Sequence, residues 1–205
     1  MRKNREEWNE FQWEREIRRD ERRIACYFRE LPACLDLPGE EELISDQLAE
    51  NSSPVPSGAP VVFRSRRLFE REERDEDLPA DEVTRRPGSE LVSAVDYLAS
   101  EWNILMISHL RADLMMYGLG LACAYAKLLS RAADFADADP ETALPLKLSL
   151  GKRVLADLNE TAGRLDEIAD LQHSLRRELT KPRAQLSEIR ERTIDLLSAL
   201  RHSRP

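Results

Sequence analysis

The sequence predicts an all-α protein: an up-down helical bundle of three core helices plus an N-terminal helix, with coiled-coil-like heptads. Apolar residues recur at spacings of three and four along most of the chain, which sets them on one face of a helix turning every 3.6 or so residues. Glycine is scarce, 7 residues in 205, while Leu, Ala, Glu and Arg are abundant. Straight-chain residues of that kind lose little rotamer freedom in a helix. No run has the alternating period of a strand, apart from the three residues Val61, Val62 and Phe63.

The first helix is predicted over 4–31. Trp13, Ile17, Ile24, Tyr27 and Leu31 share one seam, interrupted by Asp20, among Arg and Glu in near balance. This is a narrow apolar stripe on a solvated, salt-bridge-laced helix. Trp8 and Phe11 widen it. Pro32 and then Pro38-Gly39 are expected to stop the helix, because proline has no N–H for the next backbone bond. A short acidic helix over 40–50 sets Leu43, Ile44 and Leu48 to one side. Residues 51–87 open with Asn-Ser-Ser-Pro-Val-Pro-Ser-Gly-Ala-Pro and continue dense in Arg, Glu and Asp. They read as a largely disordered linker, with too little apolar area to offset ordering entropy.

The core is predicted to begin at Gly88, with Ser89 as N-cap and Glu90 near the positive helix end. Leu91, Val95, Leu98, Trp102, Leu105, His109, Ala112, Met116, Leu119, Cys123 and Ala126 keep a 3-4 alternation, and their flanks are apolar too. That pattern predicts one long, buried, central helix near 90–135. Gly118, Gly120, Ala122, Ala124 and Ala126 are small enough to let a neighbour approach closely. A turn follows at Asp134–Glu141, where Asp139 and Pro140 have the form of an N-cap with proline at the first helical position. The next helix is expected to run to about Leu179, with Pro145 as an alternative start, on a seam of Leu148, Leu155, Leu158, Ala162, Leu165, Ile168 and Leu175. Lys181-Pro182 should break or kink it. A last helix to about Arg201 carries Leu186, Ile189, Thr193, Leu196 and Leu200. The expected organisation is therefore 1–50 as an N-terminal pair of helices, 51–87 as linker and 88–205 as bundle core. The N-terminal helix is the natural fourth member, within one chain or swapped between two.

Composition narrows function by exclusion. The formal net charge is −8 and 34% of residues are charged, against roughly 25% in ordinary domains; a protein built chiefly to hold nucleic acid would be basic. Met1 to Glu7 is charged and lacks an apolar h-region. With three cysteines, Cys26, Cys34 and Cys123, this is the pattern of reduced thiols, and a cytoplasmic location is expected. The membrane candidate, Ile104 to Leu129, contains His109, Arg111 and Asp113 and leaves an apolar run of about thirteen residues. A spanning helix needs about twenty, so no membrane partner is expected.

Three constellations merit weighing. His109 and Asp113 are one turn apart, with Glu101 two turns earlier, and Asp170 and His173 form the nearest approach to a Glu-x-x-His metal motif. A di-metal bundle site needs that motif twice plus two further glutamates. His109 is better read as a hydrogen-bonded core or interface histidine, and no metal or cofactor is expected. The acidic turn at Asp134, Asp137, Asp139 and Glu141 lacks the spacing and glycine of a calcium loop. Between Arg176 and Arg204 there are eight Lys/Arg and four acids. Arg176, Arg177, Lys181, Arg183, Arg190 and Arg192 can engage phosphates by charge alone, but no aromatic sits there to stack a base. No nucleophile motif or phosphate loop is legible, no catalytic residue is assigned, and Cys123 reads as an inert core residue.

Two readings follow. The first is a non-enzymatic interaction or assembly protein that oligomerises or docks on a protein partner, with a homo-oligomer expected and Trp8, Phe11, Trp13 and Ile17 as contact residues. The alternative is a nucleic-acid-associated helical protein using the C-terminal basic face. A metal-dependent helical enzyme ranks third.

Overall fold

The periodic apolar positions are helical. The computed structural model describes residues 8–34, 39–50 and 88–202, and among them are six α-helices, two short 3-10 turns and no strand. The helices are α1 (Glu10–Cys34), α2 (Glu40–Glu50), α3 (Ser89–His109), α4 (Met115–Asp137), α5 (Pro140–Leu171) and α6 (Arg176–His202). The all-α class read from the sequence holds. The described residues fall into two compact units, α1 with α2 and α3 to α6. The linker expected over 51–87 lies outside the described residues.

In the N-terminal unit, α1 opens on a reciprocal cap. The Gln12 N–H donates to Asn9 Oδ1 and the Asn9 N–H donates to Gln12 Oε1, both at 3.0 Å, so two otherwise unpaired amide groups are satisfied. Pro32 does not end the helix, which continues to Cys34; so near a C-terminus proline forfeits only one backbone bond. Ile44, Leu48 and Cys34 are buried together, with Cys26, Tyr27 and Leu31 packed on them. The expected ion pairs are present on α1, among them Arg18 with Glu14 at 2.9 Å and Arg23 with Asp20 at 2.7 Å.

The C-terminal unit is an up-down-up-down bundle in which α3 packs on α4, α4 on α5 and α5 on α6, while α6 returns to α3 more sparsely. The single long helix expected near 90–135 is corrected to two. Leu110 (φ −76°, ψ 134°) and Arg111 (φ −63°, ψ 144°) are extended, a 3-10 turn Ala112–Leu114 follows, and the chain reverses. Leaving the helix also resets the seam. Leu91, Val95, Leu98 and Trp102 are buried as the heptads require, but on α4 the buried set is Gly118, Leu121, Ala124, Tyr125, Leu128, Ala132, Phe135 and Ala136. His109, Met116, Leu119, Cys123 and Ala126, all on the expected seam, are exposed. Thus the four bundle helices all come from 89–202.

One side chain joins the two elbows. Gln172, in the α5–α6 connection, is buried. Its Nε2 donates to the His109 carbonyl at 2.9 Å and to Ser174 Oγ at 3.2 Å, while its Oε1 accepts from the Arg111 N–H at 3.1 Å. These backbone groups are left over when a helix ends and the next begins. The chain also breaks at Gln172 rather than at Lys181-Pro182; α6 runs through Pro182.

The opposite end is closed by different means. Gly88, not Ser89, is the N-cap of α3, at φ 102°; an added Cβ there would lie 3.1 Å from the Phe135 ring. Asp139 caps α5 as expected, accepting from the Glu141 N–H and the Thr142 hydroxyl at 2.9 Å each. Those bonds hold its carboxyl below the usual range, the Glu141 amide contributing most. The early turn of α5 is kinked at Ala143 (φ −136°, ψ 35°), two residues before Pro145. Lys147 is fully buried, its ammonium donating to the Ala138 carbonyl at 2.8 Å and lying 5.0 Å from the Phe135 ring centre. It thereby satisfies a carbonyl at the negative end of α4.

Close approach is confined to particular small residues. Trp102 Nε1 donates to the Gly118 carbonyl at 3.1 Å, and a Cβ on Gly118 would come 2.4 Å from Leu110 Cδ2. Gly151 is similarly hemmed in by Leu197 and Phe135, whereas Gly163 has no neighbour within 4 Å. Apolar burial outweighs the surface ion pairs energetically. Each buried Leu or Val contributes about 1.5–3 kcal/mol, and an exposed pair such as Arg183 with Asp166 at 2.9 Å about 0–1 kcal/mol.

Two outcomes are expected in urea unfolding. Gln172→Ala should destabilise by about 0.5–1.5 kcal/mol, the net worth of a hydrogen bond to part-buried backbone groups; a change near zero would mean the elbows hold themselves. Gly151→Val should cost about 1–3 kcal/mol by overpacking, while Gly163→Ala should gain about 0.5–1 kcal/mol from helix propensity. Equal effects at the two glycines would contradict the packing described.

Candidate interaction surface

Because each bundle helix turns one stripe inward, its opposite stripe meets solvent. On α5 and α6 that outer stripe is charged: Lys152, Glu160, Arg164, Asp166, Glu167, Glu188, Arg190 and Arg192 are exposed. The outer stripe of α3 and α4 is not. Ile104 (64% exposed) and Ile107 (79%) stand opposite the buried side of α3, and Met116 (77%) and Leu119 (45%) opposite that of α4. Tyr97 and Tyr117 are about half exposed as well. Seven large apolar side chains are exposed among the described residues of this unit, and six lie on the α3–α4 hairpin, the seventh being Leu171 at the neighbouring elbow.

Charge is missing from the same surface. Between Trp102 and Ala126 the charged residues are Arg111 and Asp113. They sit in the elbow and pair with each other, Arg111 Nε donating to Asp113 Oδ1 at 2.9 Å. The Arg111 hydrogen bond holds the Asp113 carboxyl below its ordinary range. Exposed acidic side chains flank this stretch, at Glu101 one turn before Ile104 and, toward the other end of the hairpin, at Glu90, Asp96, Asp134 and Asp137. Cys123, expected in the core, is exposed on this face. The reset of register at Leu110 and Arg111 is what turned it outward.

The flank of α4 toward α5 carries the charge instead. Lys127 meets Asp157 at 2.8 Å and Glu160 at 3.1 Å. Burial opposes the Lys127 charge, but the hydrogen bonds to those carboxylates outweigh it and hold the ammonium above its usual value. Hydrogen bonds from Arg164 and then Lys127 lower the Glu160 carboxyl.

The metal candidates do not assemble. His109, Asp113, Asp170 and His173 lie at the two elbows, at one end of the bundle, and all are exposed. Of the two places expected for His109, core or interface, the core is corrected: it is the exposed last residue of α3. Asp113 is held by Arg111, Asp170 by Arg176 at 2.8 Å, and the His173 ring contacts the Ala169 carbonyl at 3.5 Å. Among the described residues no three His, Cys, Asp or Glu side chains are placed to share an ion.

The basic residues of α6 are largely matched by acids. Arg176 pairs with Asp170, Arg183 with Asp166, Arg190 with Glu191 and Arg192 with Glu188, at 2.6–2.9 Å. Arg177 and Lys181 are exposed. Arg183 and Arg190 border an open groove of about 420 Å³ between α5 and α6. A smaller cavity of about 90 Å³ lies between α3 and α6 against Leu98, Trp102, Leu105 and Leu165. On α1, Phe11 is 85% exposed, Trp8 and Trp13 meet edge to face with ring centres 5.0 Å apart, and Trp13 and Ile17 are half-buried.

By length and composition the segment Ala112–Asp137 is apolar enough to cross a membrane, yet part of it is buried in the bundle. No family model, no curated protein and no solved structure matches this chain.

Since Ile107 and Met116 touch little of the core, Ile107→Glu with Met116→Glu should shift unfolding free energy by less than about 0.5 kcal/mol per site, as exposed substitutions do. A loss of several kcal/mol would place both side chains in the core.

Proposed function

We propose that this protein is a non-enzymatic assembly module whose bundle presents the outer face of the α3–α4 hairpin to another protein surface. The observation that carries the reading is the exposure of Ile104, Ile107, Met116 and Leu119 on a stretch of hairpin whose two charges cancel in one ion pair. Large exposed apolar side chains gathered on one hairpin mark contact sites in soluble proteins. Where 34% of residues are charged, a neutral face has been kept free of the usual solubilising side chains. The stripe of Trp8, Phe11, Trp13 and Ile17 on α1 serves as a second, smaller contact element. Arg176, Arg183, Arg190 and Arg192, already matched by carboxylates, support a nucleic-acid role less well, because a phosphate must displace an existing partner to gain each contact.

A photoreactive residue placed at Ile107 in the full chain inside cells should yield one or a few discrete protein adducts. The same group at Glu188, on the charged outer side of α6, should yield none. Diffuse labelling from both positions, or lipid as the sole adduct at Ile107, would remove the reading.

A further inference from the structure

The bundle closes most sparsely where α6 returns to α3, and the cavity of about 90 Å³ lies at that closure. Leu98, Trp102 and Leu105 of α3 and Leu179 of α6 wall it, while Tyr125 of α4 and Leu165 of α5 reach it from the other two helices. Tyr125 is 1% exposed, and its hydroxyl has no hydrogen-bond partner among the described residues. Burial raises its pKa well above the usual phenol range, so the group stays a neutral O–H that can donate and accept. A buried hydroxyl in that state is unfavourable until something bonds to it. Pro182 supplies a second open position. It has no N–H, so the Glu178 carbonyl goes without the helix bond it would otherwise accept, and both residues line the same cavity.

We infer that this cavity is a binding site for a short aliphatic alcohol, whose carbons pack on the leucines and Trp102 while its hydroxyl accepts from Tyr125 and donates to the Glu178 carbonyl. The polar group must be neutral, because a charge taken out of water costs far more than one phenol returns. It must donate as well as accept, which a ketone or an ether cannot do. Trp102 offers only its ring, since its Nε1 already donates to the Gly118 carbonyl. Volume sets the length of the ligand. A cavity of about 150 Å³ holds benzene, so this one suits about four or five non-hydrogen atoms. Entry is from solvent, past the exposed side chains of Glu101 on α3 and Glu178 and Lys181 on α6.

The test is an NMR titration of the full chain, isotope-labelled at its leucine methyl groups. The two probes are isobutanol and isobutyl chloride, which has the same shape and no O–H. A ligand of this size reaches a Kd of about 1 mM. Isobutanol should shift the Leu98, Leu105, Leu165 and Leu179 signals saturably, leave Leu148 near the other end of α5 unmoved, and bind about tenfold more tightly than isobutyl chloride. Tyr125→Phe deletes an oxygen that has no partner, so it should keep the fold and abolish that preference. Pro182→Ala restores the N–H for the Glu178 carbonyl and should weaken isobutanol several-fold. No saturable shift, equal affinity for the two probes, or a preference that survives in Tyr125→Phe overturns the inference. An isobutanol affinity unchanged by Pro182→Ala removes the Glu178 carbonyl from the site and overturns the choice of a donating ligand.

Discussion

Gln172 ties together the two chain reversals that the up-down packing of α3 to α6 brings to one end of the bundle. Its amide gives a donor to the last carbonyl of α3 and an acceptor to the Arg111 N–H just before α4. Both groups are freed where α3 ends and both bonds are part-buried, so each contributes about 0.5–1.5 kcal/mol to the reversal at Leu110 and Arg111. Once it is made, α4 is folded back on α3, Trp102 reaches the Gly118 carbonyl, and one chain segment supplies two of the four bundle helices. The order of the helices, the burial of Phe135 and Lys147 at the far end, and the outward face of Met116 all follow from that reversal.

The reversal also explains why the most apolar stretch of the chain is partly wet. As one continuous helix, 91–126 would need partners on nearly every side to hide its side chains. Folded into a hairpin on one flank of a four-helix bundle, it hides one stripe per helix and leaves the other outside. Charge is then distributed unevenly, with ion pairs across α4, α5 and α6 and an uncharged outer stretch beside the elbow, where Ile104, Ile107, Met116 and Leu119 are exposed. That unevenness supports an assembly role more strongly than any titratable cluster does.

Much of the architecture was legible in residue spacing. The 3-4 pattern marked the helical segments, Asp139-Pro140 marked the start of α5, and Leu186, Ile189, Thr193 and Leu200 marked the inner stripe of α6, because each depends on local geometry alone. The elbow was not legible. Neither glycine nor proline stands at 109–114, and Leu110 keeps the apolar period running through the break. The breaking interaction comes from Gln172, about sixty residues away, which no local pattern reports. A faint signal existed: His109 sits where a cation complements a helix C-terminus and Asp113 where an anion complements the next N-terminus. The exposed apolar face was missed in part for the same reason: Met116, Leu119 and Cys123 were assigned to a core seam that the register change turned outward, while Ile104 and Ile107 lie on the outer side of α3 itself. Pro182 misled in the opposite sense, being tolerated inside α6 while the chain broke at Gln172.

The outward face of α4 stands on the hairpin at Leu110 and Arg111, and an intramolecular distance decides it. Spin labels at Asp96 and Ser130, both exposed, would be introduced after replacing the native cysteines and measured by pulsed electron resonance in excess unlabelled protein. A reversal places the two sites across adjacent helices whose axes are about 8–10 Å apart, so a label separation within about 20 Å is expected. A continuous helix would hold them about 50 Å apart, at a rise of about 1.5 Å per residue, and that distance would contradict the account.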